Sequence, residues 1–177
     1  MSDHSALNMK GCYRMKKDII FPTDDFIFSY RVGGLLIHNG KVLLQKPKND
    51  DYAIIGGHVA ALETTVETLK REYMEELHTE IEVDRLLAVG EIFFPWGNKP
   101  CHQICVYYKV HLSNENALPV DDTIHGYDEL GNKRFDMDFC WVPLEQLENG
   151  LKVYPLELIP HIVNEPKEVV HFVSREI

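Results

Sequence analysis

Apolar residues follow a strand-like pattern over much of the chain and a helical pattern in one central segment. Residues 26–37 are β-branched, aromatic and aliphatic, which predicts a strand. Asn39-Gly40 favours a tight hairpin turn, and residues 41–45 are expected to return as the partner strand. Further strand-like segments are residues 52–55, 81–83, 86–94, 102–112, 139–142 and 169–173.

The central segment carries both the start signal and the periodicity of an amphipathic helix. Thr64 and Glu67 form the S/T-x-x-E pattern of a capping box. The apolar residues that recur at helical spacing are Val66, Leu69, Tyr73 and Leu77. We expect this helix to end near His78, because strand-like composition returns soon afterwards.

The remaining segments complete the predicted architecture. Residues 113–136 are rich in Asn, Asp and Gly and are predicted to be a long irregular loop. Residues 143–148 and 155–164 are predicted to be helices. We divide the chain into an N-terminal arm, residues 1–18, and one domain, residues 19–177. Strands on both sides of a central helix, with helices near the end, indicate an α/β fold in which helices cover a mixed sheet.

Composition excludes several classes of protein. The 177 residues carry a formal net charge of −10, which argues against a nucleic acid polymer as partner. A small polyanion remains possible if divalent cations mediate its binding. The longest apolar run, residues 32–37, is too short to span a membrane, and the four cysteines lack the spacing of a disulfide framework or a zinc site. We expect a cytoplasmic protein without a membrane partner.

Three carboxylates share one side of the central helix. At about 100° per residue, Glu72, Glu75 and Glu76 occupy an arc of about 100°. Each like-charge pair at i,i+3 or i,i+4 is unfavourable by roughly 0.2–0.5 kcal/mol. A hard cation such as Mg²⁺ would reverse this repulsion, because it prefers oxygen ligands. A solvated acidic face is the alternative interpretation.

The same residues belong to a longer pattern, which resembles the Nudix box, G-x5-E-x7-R-E-U-x-E-E-x-G-U with U a bulky aliphatic residue. The six polar or glycine positions that match are Gly57, Glu63, Arg71, Glu72, Glu75 and Glu76. His78 replaces the second glycine, so the exit turn requires either a positive φ at His78 or a different cap. The resemblance implies an α/β/α sandwich around a mixed β-sheet. It also implies hydrolysis of a nucleoside diphosphate linked to another group, with Mg²⁺ or Mn²⁺ as cofactor.

The resemblance also implies roles for individual residues. The metal ligands would be Glu72, Glu75, Glu76 and the Gly56 carbonyl. Glu72 and Glu75 are assigned to catalysis together with Arg71 and Glu63, where Arg71 would pair with Glu63 or neighbouring carboxylates and fix their orientation. The general base remains open between the helix glutamates and an acid elsewhere. The candidates elsewhere are Glu91, Asp121, Asp122, Glu129, Asp136 and, preferred among them, Asp138.

Aromatic and loop residues are candidates for substrate binding. Trp96, Phe94 and Tyr127 could stack on a base, although Phe94 also suits core packing. Asp138 is placed in the same group, whereas His102 and His125 are more typical of structural or exposed histidines. The partner would be a small nucleoside diphosphate derivative. The sequence does not distinguish nucleoside triphosphates, ADP-ribose, dinucleoside polyphosphates and nucleotide sugars.

Two further possibilities accompany this interpretation. The resemblance to the family also suggests a homodimer. A non-catalytic module that binds a nucleotide or a protein is the alternative function, and the altered residue His78 is the feature that supports it.

Overall fold

A computed structural model describes residues 17–48, 51–120, 122–130 and 133–177. Most of the predicted N-terminal arm, residues 1–16, lies outside these ranges. The strands in the described part are β1 (Ile20–Pro22), β2 (Ile27–His38), β3 (Lys41–Pro47), β4 (Tyr52–Ala53), β5 (Ile55–His58), β6 (Ile81–Trp96), β7 (Lys99–Leu112), β8 (Ile124–Leu130), β9 (Lys133–Pro143), β10 (Val153–Tyr154) and β11 (Val170–Arg175). The helices there are α1 (Thr65–Leu77), α2 (Leu144–Glu148) and α3 (Ile159–Val163), with a 3₁₀ turn at Leu156–Leu158.

Strand β2 is the centre of a mixed sheet. One edge of β2 pairs in parallel with β7, and its other edge pairs in turn with β1, β5 and β3, all antiparallel. β2 and β3 pair at only two positions, Ile37 with Val42 and His38 with Lys41. Beyond these positions β3 pairs with β4 at Gln45 instead, while β9 pairs with the other edge of β3 along its full length. The two halves of the sheet therefore diverge from the β2–β3 hairpin.

Helices cover both faces of this sheet. Successive side chains of a strand point to opposite faces, so neighbouring residues of β2 join different cores. Val32 and Leu36 pack in the cluster that contains the apolar stripe of α1. Leu35 packs in a second cluster with Leu147 of α2 and Ile162 of α3. The predicted α/β fold with a mixed sheet is confirmed.

Helix α1 begins and ends as its sequence predicts. Both bonds of the capping box are present: the Glu67 amide donates to Thr64 Oγ1 at 3.2 Å, and the Thr64 amide donates to Glu67 Oε2 at 2.8 Å. Tyr73 is fully buried, and its hydroxyl donates to the Gly34 carbonyl of β2 at 3.0 Å. His78 ends the helix in the left-handed conformation, with φ of 51°. A left-handed exit is thus retained although the residue is not glycine.

One sequence prediction was wrong, and another was only partly confirmed. The segment 113–136, predicted to be an irregular loop, contains all of β8 and the beginning of β9. β9 pairs along the full length of β3 and β8 pairs with β9, so backbone hydrogen bonds order a segment of polar composition. The helix predicted at residues 155–164 is divided into a 3₁₀ turn and α3, with Pro160 in the first turn of α3. None of the helices in the described ranges has the length and apolar character of a membrane span.

Candidate active site

Two glycines of β5 bring the backbone of the sheet close to helix α1. Gly56 pairs with Gly33 and has φ of 150°, a conformation that favours glycine. A side chain at Gly56 would collide with the Val32 carbonyl. A Cβ at Gly57 would lie 2.5 Å from Glu72 Oε2 and would overlap the rest of that carboxylate. The Glu72 carboxylate therefore lies directly against the backbone of β5.

Arg71 joins three of the predicted acids into one cluster. Its Nη1 donates to Glu72 Oε1 and to Glu75 Oε2, both at 2.8 Å. Its Nε donates to Glu63 Oε2 at 3.2 Å, and Thr68 Oγ1 donates to the same oxygen at 3.0 Å. The structure thus brings Arg71 into contact with Glu63 and two neighbouring carboxylates, the contacts that the sequence analysis expected of it.

The acids differ in their exposure. Glu72 and Glu76 are 8% and 6% exposed, whereas the Glu75 side chain is 59% exposed. Burial alone would lower the pKa of Arg71, but the charges of Glu72, Glu75 and nearby Glu63 together raise its pKa above the ordinary value. Arg71 therefore remains protonated and holds a permanent positive charge among these carboxylates.

The donor groups are suited to a hard divalent cation. Within the described ranges, no three His, Cys, Asp or Glu side chains are already arranged around a common metal position. Glu72 and Glu75 nevertheless each direct an oxygen at one cationic nitrogen of Arg71. The predicted donors here are all oxygens, the type of ligand that Mg²⁺ and Mn²⁺ prefer. A cation would compete with Arg71 for these oxygens.

A pocket of about 430 Å³ lies next to Gly56 and Gly57, the segment of β5 that we call the β5 turn, and its volume is within the range of small-molecule sites. Arg31 connects the two features, because it lines the pocket while its Nη2 donates to the Gly56 carbonyl at 3.0 Å. The pocket walls come from strands on both halves of the sheet. Its lining residues are Arg31, Val32, Gly33, Gln45, Asp51, Ala53, Ile54, Phe94, Pro95, Gln103, Cys105, Tyr107, Tyr154, Pro155 and Glu176.

Two of the three predicted aromatic residues, Phe94 and Trp96, lie at this pocket or beside it. Phe94 lines the pocket and packs edge-on against Tyr154, with ring centroids 6.0 Å apart. Trp96 is stacked with Phe94 at 6.1 Å and with His58 at 6.0 Å. Burial, reinforced by the charge of Arg31, lowers the pKa of His58 to about 4, so its imidazole is neutral at pH 7.

The other predicted acids are found elsewhere. Asp138 Oδ1 is 2.6 Å from His125 Nδ1, and Glu91 Oε1 is 2.8 Å from His171 Nε2. His102 stacks on Phe93 with a centroid distance of 4.4 Å. These residues do not line the pocket as far as the structure describes it. Asp121 lies outside the described residues, and the side chains of Tyr127 and Glu129 are not described.

Sequence reasoning missed several polar residues of the pocket. Arg31, Gln45, Gln103 and Tyr154 lie on four different strands, β2, β3, β7 and β10. Only the pairing of those strands brings the four side chains to one cavity. No local spacing in the sequence indicates such a group, although an arginine inside an apolar strand is an unusual feature.

Comparisons with known proteins agree with this architecture. The family model described as NUDIX domain matches residues 28–162. A MutT protein from Methanosarcina mazei Go1 is 18% identical with a TM-score of 0.55, over 83% of this chain and 100% of that one.

Two further solved structures have similar folds. A MutT protein from Bacillus halodurans is 19% identical with a TM-score of 0.52, over 82% of this chain and 90% of that one. An ADP-ribose pyrophosphatase from Streptococcus suis 89-1591 is 12% identical with a TM-score of 0.51, over 81% of this chain and 98% of that one. Because the family match covers most of the sequence, this chain belongs to the Nudix family.

Proposed function

We propose that this protein hydrolyses the pyrophosphate bond of a small nucleoside diphosphate derivative, with Mg²⁺ or Mn²⁺ as cofactor. The observation that carries the proposal is the packing of the Glu72 carboxylate against Gly57. This contact places the acidic cluster of α1 at the β5 turn, and Arg31 links that turn to the pocket. A diphosphate could lie at the cluster while the rest of the substrate occupies the pocket.

The proposed cation ligands are Glu72, Glu75, Glu76 and the Gly56 carbonyl. When bound, a divalent cation would neutralise the diphosphate and lower the pKa of a water molecule near the attacked phosphorus. Neutralisation matters in this protein because the chain has a formal net charge of −10 and would otherwise repel a polyphosphate.

The chain's own residues supply orientation and proton transfer. Arg71 positions the carboxylates of Glu72 and Glu75 through Nη1, and Glu63 holds Arg71 by accepting from its Nε. Arg71 is not a base, because arginine does not lose its proton in proteins. We assign general-base action to one of the helix glutamates, since the Glu72 carboxylate lies against Gly57 whereas Glu91 and Asp138 do not line the pocket. Trp96 and Phe94 are proposed to contact the nucleoside, Phe94 from within the pocket.

A substrate panel with and without Mg²⁺ tests this proposal. The panel contains ADP-ribose, nucleoside triphosphates, a dinucleoside polyphosphate and a nucleotide sugar, and products are separated by chromatography. We expect hydrolysis of at least one compound, dependent on the cation. Absence of hydrolysis across the panel by natively folded protein would contradict the proposal. Metal-independent nucleotide binding without product would favour a binding module instead.

A matched pair of variants connects the activity to the acidic cluster. Glu72→Gln removes one charge with little change in shape, and we expect the rate to fall more than about tenfold. Glu80→Gln makes the same chemical change at an exposed residue just after α1 and should retain the activity. Equal activity of the two variants would contradict the assignment of Glu72.

A further inference from the structure

Arg31 is a partly buried cation at the pocket, and it has no carboxylate partner in the described part of the chain. Its neighbour on β2, Val32, packs in the core beneath α1, so strand alternation directs Arg31 and Gly33 to the opposite face, where both line the pocket. Nη2 of Arg31 donates to the Gly56 carbonyl at 3.0 Å. A guanidinium has five N–H donors, so further donors remain for a ligand.

Titratable side chains close to Arg31 are uncharged at neutral pH and do not compensate its charge. Burial, reinforced by the charge of Arg31, lowers the pKa of His58 to about 4, so the imidazole is neutral. Burial raises the pKa of Cys105 to about 11 and the pKa of Tyr107 well above its ordinary value, so both remain protonated. A partly buried cation without a counterion is unfavourable, and an anionic ligand would supply the missing charge.

Arg31 and the acidic cluster meet the two adjacent glycines of the β5 turn. A Cβ at Gly57 would overlap the carboxylate of Glu72 on α1, whereas the carbonyl of Gly56 accepts from Arg31. A diphosphate at this turn would have one phosphate next to the carboxylates, where its binding needs a divalent cation. The other phosphate would lie on the pocket side, next to a guanidinium that can pair with it directly.

We propose that Arg31 binds the phosphate on the pocket side of the β5 turn, the phosphate that is attached to the nucleoside in the pocket. This inference rests on the proposed function only in taking the ligand to be a nucleotide. It predicts that a nucleoside monophosphate binds more tightly than its nucleoside even without divalent cations. Without a contribution from Arg31 the opposite order is expected, because the net charge of −10 and the pocket residues Asp51 and Glu176 repel a phosphate.

Isothermal titration in EDTA tests the inference without any catalytic step. The full chain is titrated with AMP, GMP, CMP and UMP, and each is compared with its nucleoside. We expect at least one monophosphate to bind about tenfold more tightly than its nucleoside or better, the order of effect of hydrogen bonds to a charged group. The difference should decrease as the salt concentration rises. A smaller difference in all four pairs, or no binding of any monophosphate, would overturn the inference.

Variants at Arg31 connect this preference to the guanidinium. Arg31→Gln removes the charge and should abolish the preference for the monophosphate. Arg31→Lys keeps the charge without the planar fork and should retain part of the preference. Arg175→Gln is the matched control, because Arg175 is exposed and lies over the ring of Phe93, on the face of the sheet opposite to the pocket. This variant should bind like the wild type, and retention of the full preference by Arg31→Gln would overturn the proposal.

The outcome is independent of the hydrolysis experiment. A preference for monophosphates in EDTA, without turnover of any substrate in Mg²⁺, would retain this inference and contradict the proposed function. Turnover without such a preference would do the reverse. Thermal unfolding of each variant shows whether it is folded. If Arg31→Gln does not fold, the salt dependence of the wild type provides the second test, and a preference that salt does not reduce would overturn the inference.

Discussion

Gly57 and Glu72 are packed so closely that the carboxylate of Glu72 occupies the space where a side chain at position 57 would lie. A Cβ at this position would approach Glu72 Oε2 to 2.5 Å. Gly57 lies on β5 and Glu72 on α1, so this contact fixes the position of the helix carboxylate relative to the sheet. It also gives a physical reason for a glycine here that does not depend on backbone conformation.

Gly57→Ala should therefore displace Glu72 and reduce hydrolysis by more than about tenfold, because small displacements of a catalytic group are costly. Gly150→Ala is the control. Gly150 has φ of 97°, and its added methyl group would meet no atom within 4 Å, so this variant tests backbone strain alone. Steady-state rates measure the loss of hydrolysis in both variants, and melting temperatures measure any loss of stability. A Gly57→Ala enzyme as active as the Gly150→Ala enzyme would show that the contact is unimportant.

Arg71→Ala should lower kcat at least about tenfold without weakening Mn²⁺ binding. The guanidinium orients Glu72 and Glu75, and it also competes with a cation for their oxygens. Removal of the guanidinium disturbs the orientation of the Glu72 and Glu75 carboxylates. It also leaves their negative charges less compensated, which favours a bound cation. Kinetics and Mn²⁺ titration measure the two effects separately.

Arg71→Lys retains the charge and should lie between the wild type and Arg71→Ala in kcat. A parallel loss of kcat and of Mn²⁺ affinity in Arg71→Ala would indicate general disruption of the site rather than loss of positioning.

His58 should make the folded state sensitive to acid. Its pKa is lowered from 6.5 to about 4 in the folded protein by burial and by Arg31. Between these values the unfolded chain binds more protons, so stability is fully present above pH 6.5 and falls as the pH decreases towards 4. Between pH 7 and pH 5 the loss from this residue is about 2 kcal/mol.

Urea unfolding at these two pH values measures the effect. His58→Gln, which does not titrate, should lose about 2 kcal/mol less than the wild type over the same interval. Identical pH dependence of the two proteins would refute the assignment of a low pKa to His58.

His78→Gly should stabilise the protein by roughly 0.5–1 kcal/mol, because the left-handed conformation of His78 favours glycine. The exposed His78 side chain should not affect hydrolysis, so activity should be unchanged. His78→Ala removes the imidazole but retains Cβ, and it should give no stabilisation. Denaturant unfolding of the three proteins tests this explanation, which fails if glycine and alanine have the same effect.

Local signals in the sequence predicted helix α1 well. The capping box depends on residues three positions apart, and the apolar stripe depends on a period of one helical turn, so short-range spacing contains the information. The contact of Arg71 with Glu63 was expected from the family resemblance. The left-handed conformation of His78 was one of two expected alternatives.

No comparable local signal indicated β8 or the pocket. β8 and the beginning of β9 are polar and pair with each other, and the rest of β9 pairs with β3, which is distant in sequence. Gln45 and Tyr154 are brought together because β4 pairs with both β3 and β10. The order of β8 and the proximity of Gln45 and Tyr154 both depend on long-range strand pairing. Local composition and periodicity do not specify which strands pair.

The carboxylates on α1 are proposed to hold the divalent cation that hydrolysis requires. Electron paramagnetic resonance of Mn²⁺ titrated into the wild type, Glu72→Gln and Glu80→Gln tests it most directly. We predict saturable binding to the wild type and Glu80→Gln, with affinity lowered by about tenfold or more in Glu72→Gln. Equal Mn²⁺ affinity in all three proteins would contradict the account.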